Sequence, residues 1–384
     1  MDYASGAPID PRVLMVMDKV SKSEFANPSA IHELGVKAKT ILEKARIDIA
    51  KILSAHPNEV IFTSGATESN NLALIGLIDT STPHIVTTNI EHASVLGVCK
   101  YLEKMKKIQI TYVTVEKNGL VDPKKIKKAI KNNTVLVSVM YANNEIGTIQ
   151  PIREIAKEVR YYNKVNKKKI LFHTDATQAL NYLPINVEKL GVDLMSFNSA
   201  KIYGPKGAGV LFKKRNVILS PLIHGGGQEH NIRSGTENLP AIAGLAEALK
   251  ITESLKEKES KRLIKLRDYF ISKLEHSHIL KNVGILINGD RKERLPNNIN
   301  ISVPKIPSEL LVLELSARGI MVSAKSACES ADGDESYVIR AIRKTSSIEG
   351  SVRFSLGRAT TKADIDFTIK SLSAILTKLK RWYN

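Results

Sequence analysis

Between residues 58 and 214, short apolar, β-rich runs alternate with stretches of helical period: EVIFTS, HIVTT, ITYVTV, VLVSVMYA, ILFHTDA, DLMSFN and GVLFKK. Segments such as EHASVLGVCKYLEKMK and IREIAKEVRYY lie between them and repeat their apolar residues at three- and four-residue steps. Strands that are apolar almost throughout, separated by amphipathic helices, predict a mostly parallel sheet of seven strands covered on both faces. GVLFKK follows DLMSFN too closely for a helical crossover, so it is expected to run antiparallel. An earlier helix, GVKAKTILEKARIDIAKILSA, carries apolar residues at 36, 41, 42, 45, 49, 52 and 53 and should pack beside the first strand.

After about residue 240 the pattern changes to a long helical stretch, AIAGLAEALKITESLKEKESKRLIKLRDYFISKLE. The strands NINISV, GIMVSA and SVRFSL follow, with helices between them. This predicts a large α/β domain over 14–245 and a smaller α+β domain built from 1–13 and 246–384. Neither an internal repeat nor a linker-like pool of Pro and Gly interrupts the chain.

Composition changes the picture little. The chain has 384 residues, of which 43% are hydrophobic and 25% charged, as is ordinary for a globular protein of this length. No apolar run is long enough to span a membrane, and MDYASGAPID has neither a basic leader nor an apolar core, so a cytoplasmic location is expected. Only Cys99 and Cys328 are present, which allows no disulfide framework and no cysteine-based metal site. The net charge of +18 comes from lysines scattered at helix spacing, without interleaved aromatics that could stack on bases. A solvated basic surface is therefore expected, not direct nucleic-acid binding.

In open α/β sheets, ligands bind at the carboxyl ends of the strands, and candidate chemistry appears there. After EVIFTS, Gly65-Ala66-Thr67-Glu68-Ser69 opens a helix whose N-terminus suits a phosphate, although alone the run reads as a capping turn. After ILFHT comes Asp175, a carboxylate that needs a cationic or N–H partner, with Gln178 three residues on. After DLMSFN comes Asn198-Ser199-Ala200-Lys201, with a second lysine at 206. A lysine amine, an anion cradle and an acid along one edge of a sheet suit pyridoxal phosphate, with the lysine linked to its carbonyl. In SAKSACES, Cys328 sits among small residues; Lys325 would favour its thiolate and Glu329 would oppose it. Cys99, inside a helix, reads as a small core residue.

The runs NPSAIHELG, VIFTSGATESNNLAL, EHASVL, VMYANNEIGTIQPI, HTDATQAL, KIYGPKGAGVLF, HGGGQEHNIRSGTEN, SACESADGDESYVIRAI and VRFSLGRATT occur in order over nearly the whole chain. Together they resemble the cysteine desulfurases of the class V aminotransferase family, which have the fold type I architecture of pyridoxal-phosphate enzymes. The resemblance implies conversion of L-cysteine to L-alanine, with the sulfur held on Cys328 as a persulfide. Lys201 would carry the cofactor and move the substrate's α-proton, Asp175 would face the ring nitrogen and Gln178 the ring oxygen. Ala66 and Thr67, with Asn198 and Ser199, would hold the phosphate; His92 would stack on the ring.

Thr236 would reach the phosphate of a partner copy, which implies a homodimer. Arg353 would grip the substrate carboxylate, and Asn144 would touch cofactor or substrate. The sulfur acceptor would be an iron–sulfur scaffold or a tRNA-thiolating enzyme, and the only metal contact implied is a transient iron–sulfur one through Cys328. The pattern departs from the family's in having Ala200 for a histidine, Lys325 for a glycine, and Ser5-Gly6-Ala7 where Ala-Thr-Thr is usual. The same residues also admit a selenocysteine lyase, an aminotransferase, or a weakly active or non-catalytic paralogue that binds a partner.

Overall fold

The computed structural model describes residues 1–78, 83–324, 336–343 and 349–383. Cys328 and Lys325 lie outside these residues.

Seven strands form the main sheet: β1 (Val60–Thr63), β2 (His84–Thr88), β3 (Gln109–Val113), β4 (Thr134–Ser138), β5 (Leu171–Asp175), β6 (Leu194–Asn198) and β7 (Gly209–Lys213), in the order β1-β7-β6-β5-β4-β2-β3. The four pairings between β3 and β6 are parallel. β7 runs antiparallel to both β6 and β1, as the short connection requires. The carboxyl ends of β1, β2, β4, β5 and β6 therefore point the same way, and the loops that follow them share one rim.

Helices cover both faces. Four that matter here are α1 (Pro11–Ser23), α2 (Glu33–Leu53), α3 (Ala66–Ile75) and α4 (Ala93–Lys104). The buried stripe of α2 is Gly35, Ala38, Leu42, Ala45, Arg46, Ile49, Ala50 and Leu53, one face at three- and four-residue steps. Val36, counted among the apolar face from the sequence, is 54% exposed on the opposite side. Arg46 takes a buried place because Glu229 meets it at 2.7 and 2.8 Å. Glu229 also accepts the Phe62 amide, and Arg46 donates to the Val60 carbonyl, so this ion pair clasps α2, β1 and the 228–231 turn together.

A second sheet is antiparallel, in the order β10-β9-β8: β8 (Leu286–Asn288), β9 (Asn298–Pro304) and β10 (Glu349–Ser355). β8 escaped the sequence reading because three residues show no alternation. GIMVSA, expected as a strand, makes only an isolated bridge between Ser323 and Arg353. Gly319, its first residue, turns the chain at φ 76°, and only at Ser323 does the segment lie against β10.

The helix Leu239–His276 joins the two halves. Its first part, Leu239 to Ile251, is buried with the main-sheet core, and Leu263, Phe270 and Leu274 belong to the core of the small sheet. No helix among the described residues is long and apolar enough to cross a membrane.

Candidate active site

Several site residues sit at or just beyond the carboxyl end of a strand. β1 stops at Thr63, and α3 starts at Gly65 without a side-chain cap. A helix N-terminus left in that condition presents amide donors and a positive dipole end. Close backbone approach makes this turn possible: a Cβ on Gly209 of β7 would lie 2.5 Å from the Gly65 Cα. β5 ends at Asp175, and β6 ends at Asn198, whose Oδ1 accepts the Lys201 amide at 3.2 Å. The turn beyond is held in an unfavourable shape, with Tyr203 at φ 62°, which costs a side-chain-bearing residue about 1–2 kcal/mol. The Arg358 guanidinium lies 3.9 Å from the Tyr203 ring centre, and the Arg358 amide donates to its hydroxyl, so the turn is held from outside.

Lys201 and Asp175 line one cleft, with Ala66, Thr67, His92, Asn144, Gln178, Asn198 and Arg353. Nine of the residues expected from the sequence thus meet at one place. Ser199 is not among them: it is fully buried and its Oγ points at Gly204, where a Cβ would come within 2.0 Å. Its side chain therefore lies apart from the cleft in which a phosphate contact was expected. Thr236 is exposed and outside the cleft of its own chain. Lys206 is exposed as well, which leaves Lys201 as the lysine of this turn that faces the site.

Asp175 is buried and accepts from Asn70 Nδ2 at 2.7 Å and from the Thr177 amide at 2.9 Å. Asn70 also donates to Ser94 Oγ at 2.8 Å, and that hydroxyl lies 2.8 Å from His92 Nδ1. Because Nδ1 also accepts the Ser94 amide, a neutral His92 carries its proton on Nε2. His92 thus caps α4 and lines the cleft at once. Beneath it, Glu91 is fully buried; its carboxyl takes the Thr88 hydroxyl and the Met140 amide, and burial pushes its pKa up to about 8. The nearby Asp175 charge adds to that rise. Asn70 and Glu91 were missed by sequence reasoning. Asn70 lies one helical turn after Ala66, so its position four residues on was the signal that could have found it.

The remaining side of the cleft comes from the small sheet and the amino-terminal segment. Arg353 donates through Nη1 to the Asn144 carbonyl at 2.9 Å, and through Nη2 to Asp2 at 2.9 Å and to Ser5 Oγ at 2.6 Å. Lys201 Nζ donates to the Ser5 carbonyl. Three buried polar atoms of cleft residues have no hydrogen-bond partner: Asn144 Oδ1, Thr177 Oγ1 and Arg353 Nε. Orphaned polar atoms of this kind are rare inside proteins, and here all three belong to residues that line one cleft.

The sequence profile of class V aminotransferases matches residues 1–367. The chain belongs to the class V aminotransferase family. This class V aminotransferase is 44% identical to the cysteine desulfurase IscS of Dictyoglomus turgidum, over 99% of this chain and 95% of that one. Among solved structures it resembles a NifS-like protein with a TM-score of 0.89 at 37% identity, covering 98% and 99% of the two chains. It also resembles SspA in complex with cysteine, with a TM-score of 0.77 at 34% identity over 92% and 97%. No cluster of three or more metal-ligating side chains occurs among the described residues of this class V aminotransferase.

Proposed function

We propose that this class V aminotransferase is a pyridoxal-phosphate-dependent cysteine desulfurase, which converts L-cysteine to L-alanine and takes up the sulfur on Cys328. The observation that carries the reading is the meeting of Lys201, Asp175, His92 and Arg353 in one cleft at the strand ends. The relatives named cysteine desulfurase, matched from end to end, support it.

The residues present fit the cofactor. The uncapped start of α3, with Ala66 and Thr67, would take the phosphate, joined by Asn198. The Ala200 side chain offers no hydrogen bond where the family's pattern has a histidine, so the phosphate would be held by fewer groups. Asp175 would face the ring nitrogen, its charge kept in place by Asn70 and the Thr177 amide, while Gln178 would face the ring oxygen. His92 would lie on the ring, and Asn144 and Thr177 would satisfy their orphaned atoms. Pyridoxal phosphate, once bound, supplies the electron sink that makes the substrate's α-proton labile and its carbon–sulfur bond weak.

Lys201 would carry the cofactor and move the α-proton. Arg353, buried and bidentate, would fix the substrate carboxylate and with it the direction of the Cα–H bond. The Cys328 thiolate would attack the substrate's sulfur: an S–S bond forms, the Cβ–S bond breaks, and its electron pair stays with carbon, where a proton completes L-alanine. Thr236, exposed outside the cleft of its own chain, would serve the phosphate of a second copy in a homodimer. The persulfide would pass to an acceptor protein for iron–sulfur assembly or tRNA thiolation.

Incubation with L-cysteine should add one sulfur to Cys328 by mass spectrometry and release alanine. Lys201→Ala should abolish both. No added sulfur and no alanine would sink the reading, and an active Cys328→Ser variant with an amino acceptor would mark an aminotransferase instead.

A further inference from the structure

We infer that Ser5 is a positioning residue of the carboxylate subsite, holding the Arg353 guanidinium in place and tying it to Ser323. The inference rests on the reading of Arg353 as the group that binds the substrate carboxylate.

Three groups surround the Ser5 hydroxyl: Arg353 Nη2 at 2.6 Å, Asp2 Oδ1 at 2.9 Å and Ser323 Oγ at 3.1 Å. The directions of these bonds follow from chemistry. A guanidinium can only donate and a carboxylate can only accept. Ser5 therefore accepts from Arg353 and gives its single proton to Asp2. With that proton committed, the contact with Ser323 is made by the Ser323 hydroxyl donating. Ser323 is tied to Arg353 a second time, because the two residues exchange backbone hydrogen bonds at 2.8 and 3.3 Å. Asp2 is itself anchored by a bridge to Ser355, two residues along β10 from Arg353.

The arrangement leaves one guanidinium nitrogen without a partner. Nη1 is used by the Asn144 carbonyl and Nη2 by Asp2 and Ser5, whereas Nε is buried without a partner. Nε and Nη2 form the side-on edge of the fork, the edge that suits a carboxylate with two oxygens. A carboxylate bound by Arg353 would find Nε–H uncommitted, while both Nη2 protons are already held by Asp2 and Ser5. The hydroxyl thus fixes the plane of the fork before the ligand arrives. An alanine at position 5, the usual residue in the family's pattern, would leave Nη2 held by Asp2 alone. This chain has added a contact, and the added contact reaches Ser323, five residues before Cys328.

The test uses the holoenzyme and two ligands that differ only at the carboxylate, L-alanine and L-alaninamide, with binding followed by the visible absorbance of the bound cofactor. Ser5→Ala should weaken L-alanine about three- to tenfold, what is lost with one ordinary hydrogen bond, and leave L-alaninamide unchanged. Ser5→Thr keeps the hydroxyl and should restore the wild-type constant. An unchanged L-alanine constant, or an equal loss for acid and amide, overturns the inference, because a general structural role would move both ligands together. If the amide binds the wild type too weakly to measure, the threonine variant decides: rescue supports the inference and no rescue overturns it. A wild-type protein that binds no cofactor or does not turn over L-cysteine removes the functional reading first, and this inference with it.

Discussion

Glu91 is a buried acid beside His92, a residue that lines the cleft. Its carboxyl lies in the core under His92, where burial raises its pKa from 4.5 to about 8. The folded protein therefore keeps a proton that the unfolded chain has lost throughout the interval between those values. The associated stability is fully present below about pH 4.5 and disappears as pH rises toward 8, at up to about 1.4 kcal/mol per pH unit. Glu91→Gln should flatten that slope, since the amide is neutral at every pH and can still accept from Met140 and reach the Thr88 hydroxyl. Urea unfolding at pH 5, 6.5 and 8 would measure it; equal slopes for variant and wild type would dismiss the idea. The same burial pushes the Cys99 thiol up to about 12, so this cysteine is inert core, as its place in a helix suggested. Side chains at strand ends, such as Asp175 and Lys201, were legible in the sequence because an acid or a lysine there has few structural reasons to exist. Glu91 and Asn70 were not. Their partners are 49 and 105 positions away in the chain, at Met140 and Asp175, and no local pattern encodes such a meeting.

At the scale of elements, the site depends on how closely two backbones approach. Gly209 opens β7 and lies directly against Gly65, where the chain leaves β1 for the uncapped start of α3. Gly209→Ala would push a methyl into that turn and displace the α3 amides. The expected cost is about 1–3 kcal/mol of stability. A weaker hold on inorganic phosphate should accompany it, read by a thermal-shift titration. A variant with both properties unchanged would show that the contact has slack. The strands of the main sheet were readable because buried parallel strands are apolar on both faces and stand out against amphipathic helices. The small sheet was less readable. β8 is shorter than any alternation can reveal, and GIMVSA looks like a strand but finds a partner only at Ser323. A β-rich run becomes a strand only where a neighbour offers its backbone, and that is decided by tertiary contacts.

For the molecule as a whole, the Arg46–Glu229 pair couples parts that are distant in sequence. Arg46→Ala would leave a buried carboxylate without its cation, a loss of about 3–5 kcal/mol. Replacing both members, Arg46→Met with Glu229→Leu, should cost less than either truncation alone, since no charge is stranded. Chemical unfolding of Arg46→Ala, Glu229→Ala and the double variant would check the order, and a double variant weaker than both singles would contradict it. Of the cations behind the net charge of +18, Lys201 and Arg353 line the cleft.

The helix Leu239–His276 is about 57 Å long at 1.5 Å per residue. From Leu245 onward it contains neither glycine nor proline, the usual places for a bend. Lys201 stands on the framework packed around one end of this rod, and Arg353 on the framework around the other. A continuous helix of that kind opposes a change in the span between the two cations. Amino acids should therefore enter and leave through rearrangement of short segments at the rim, not by the two halves swinging apart.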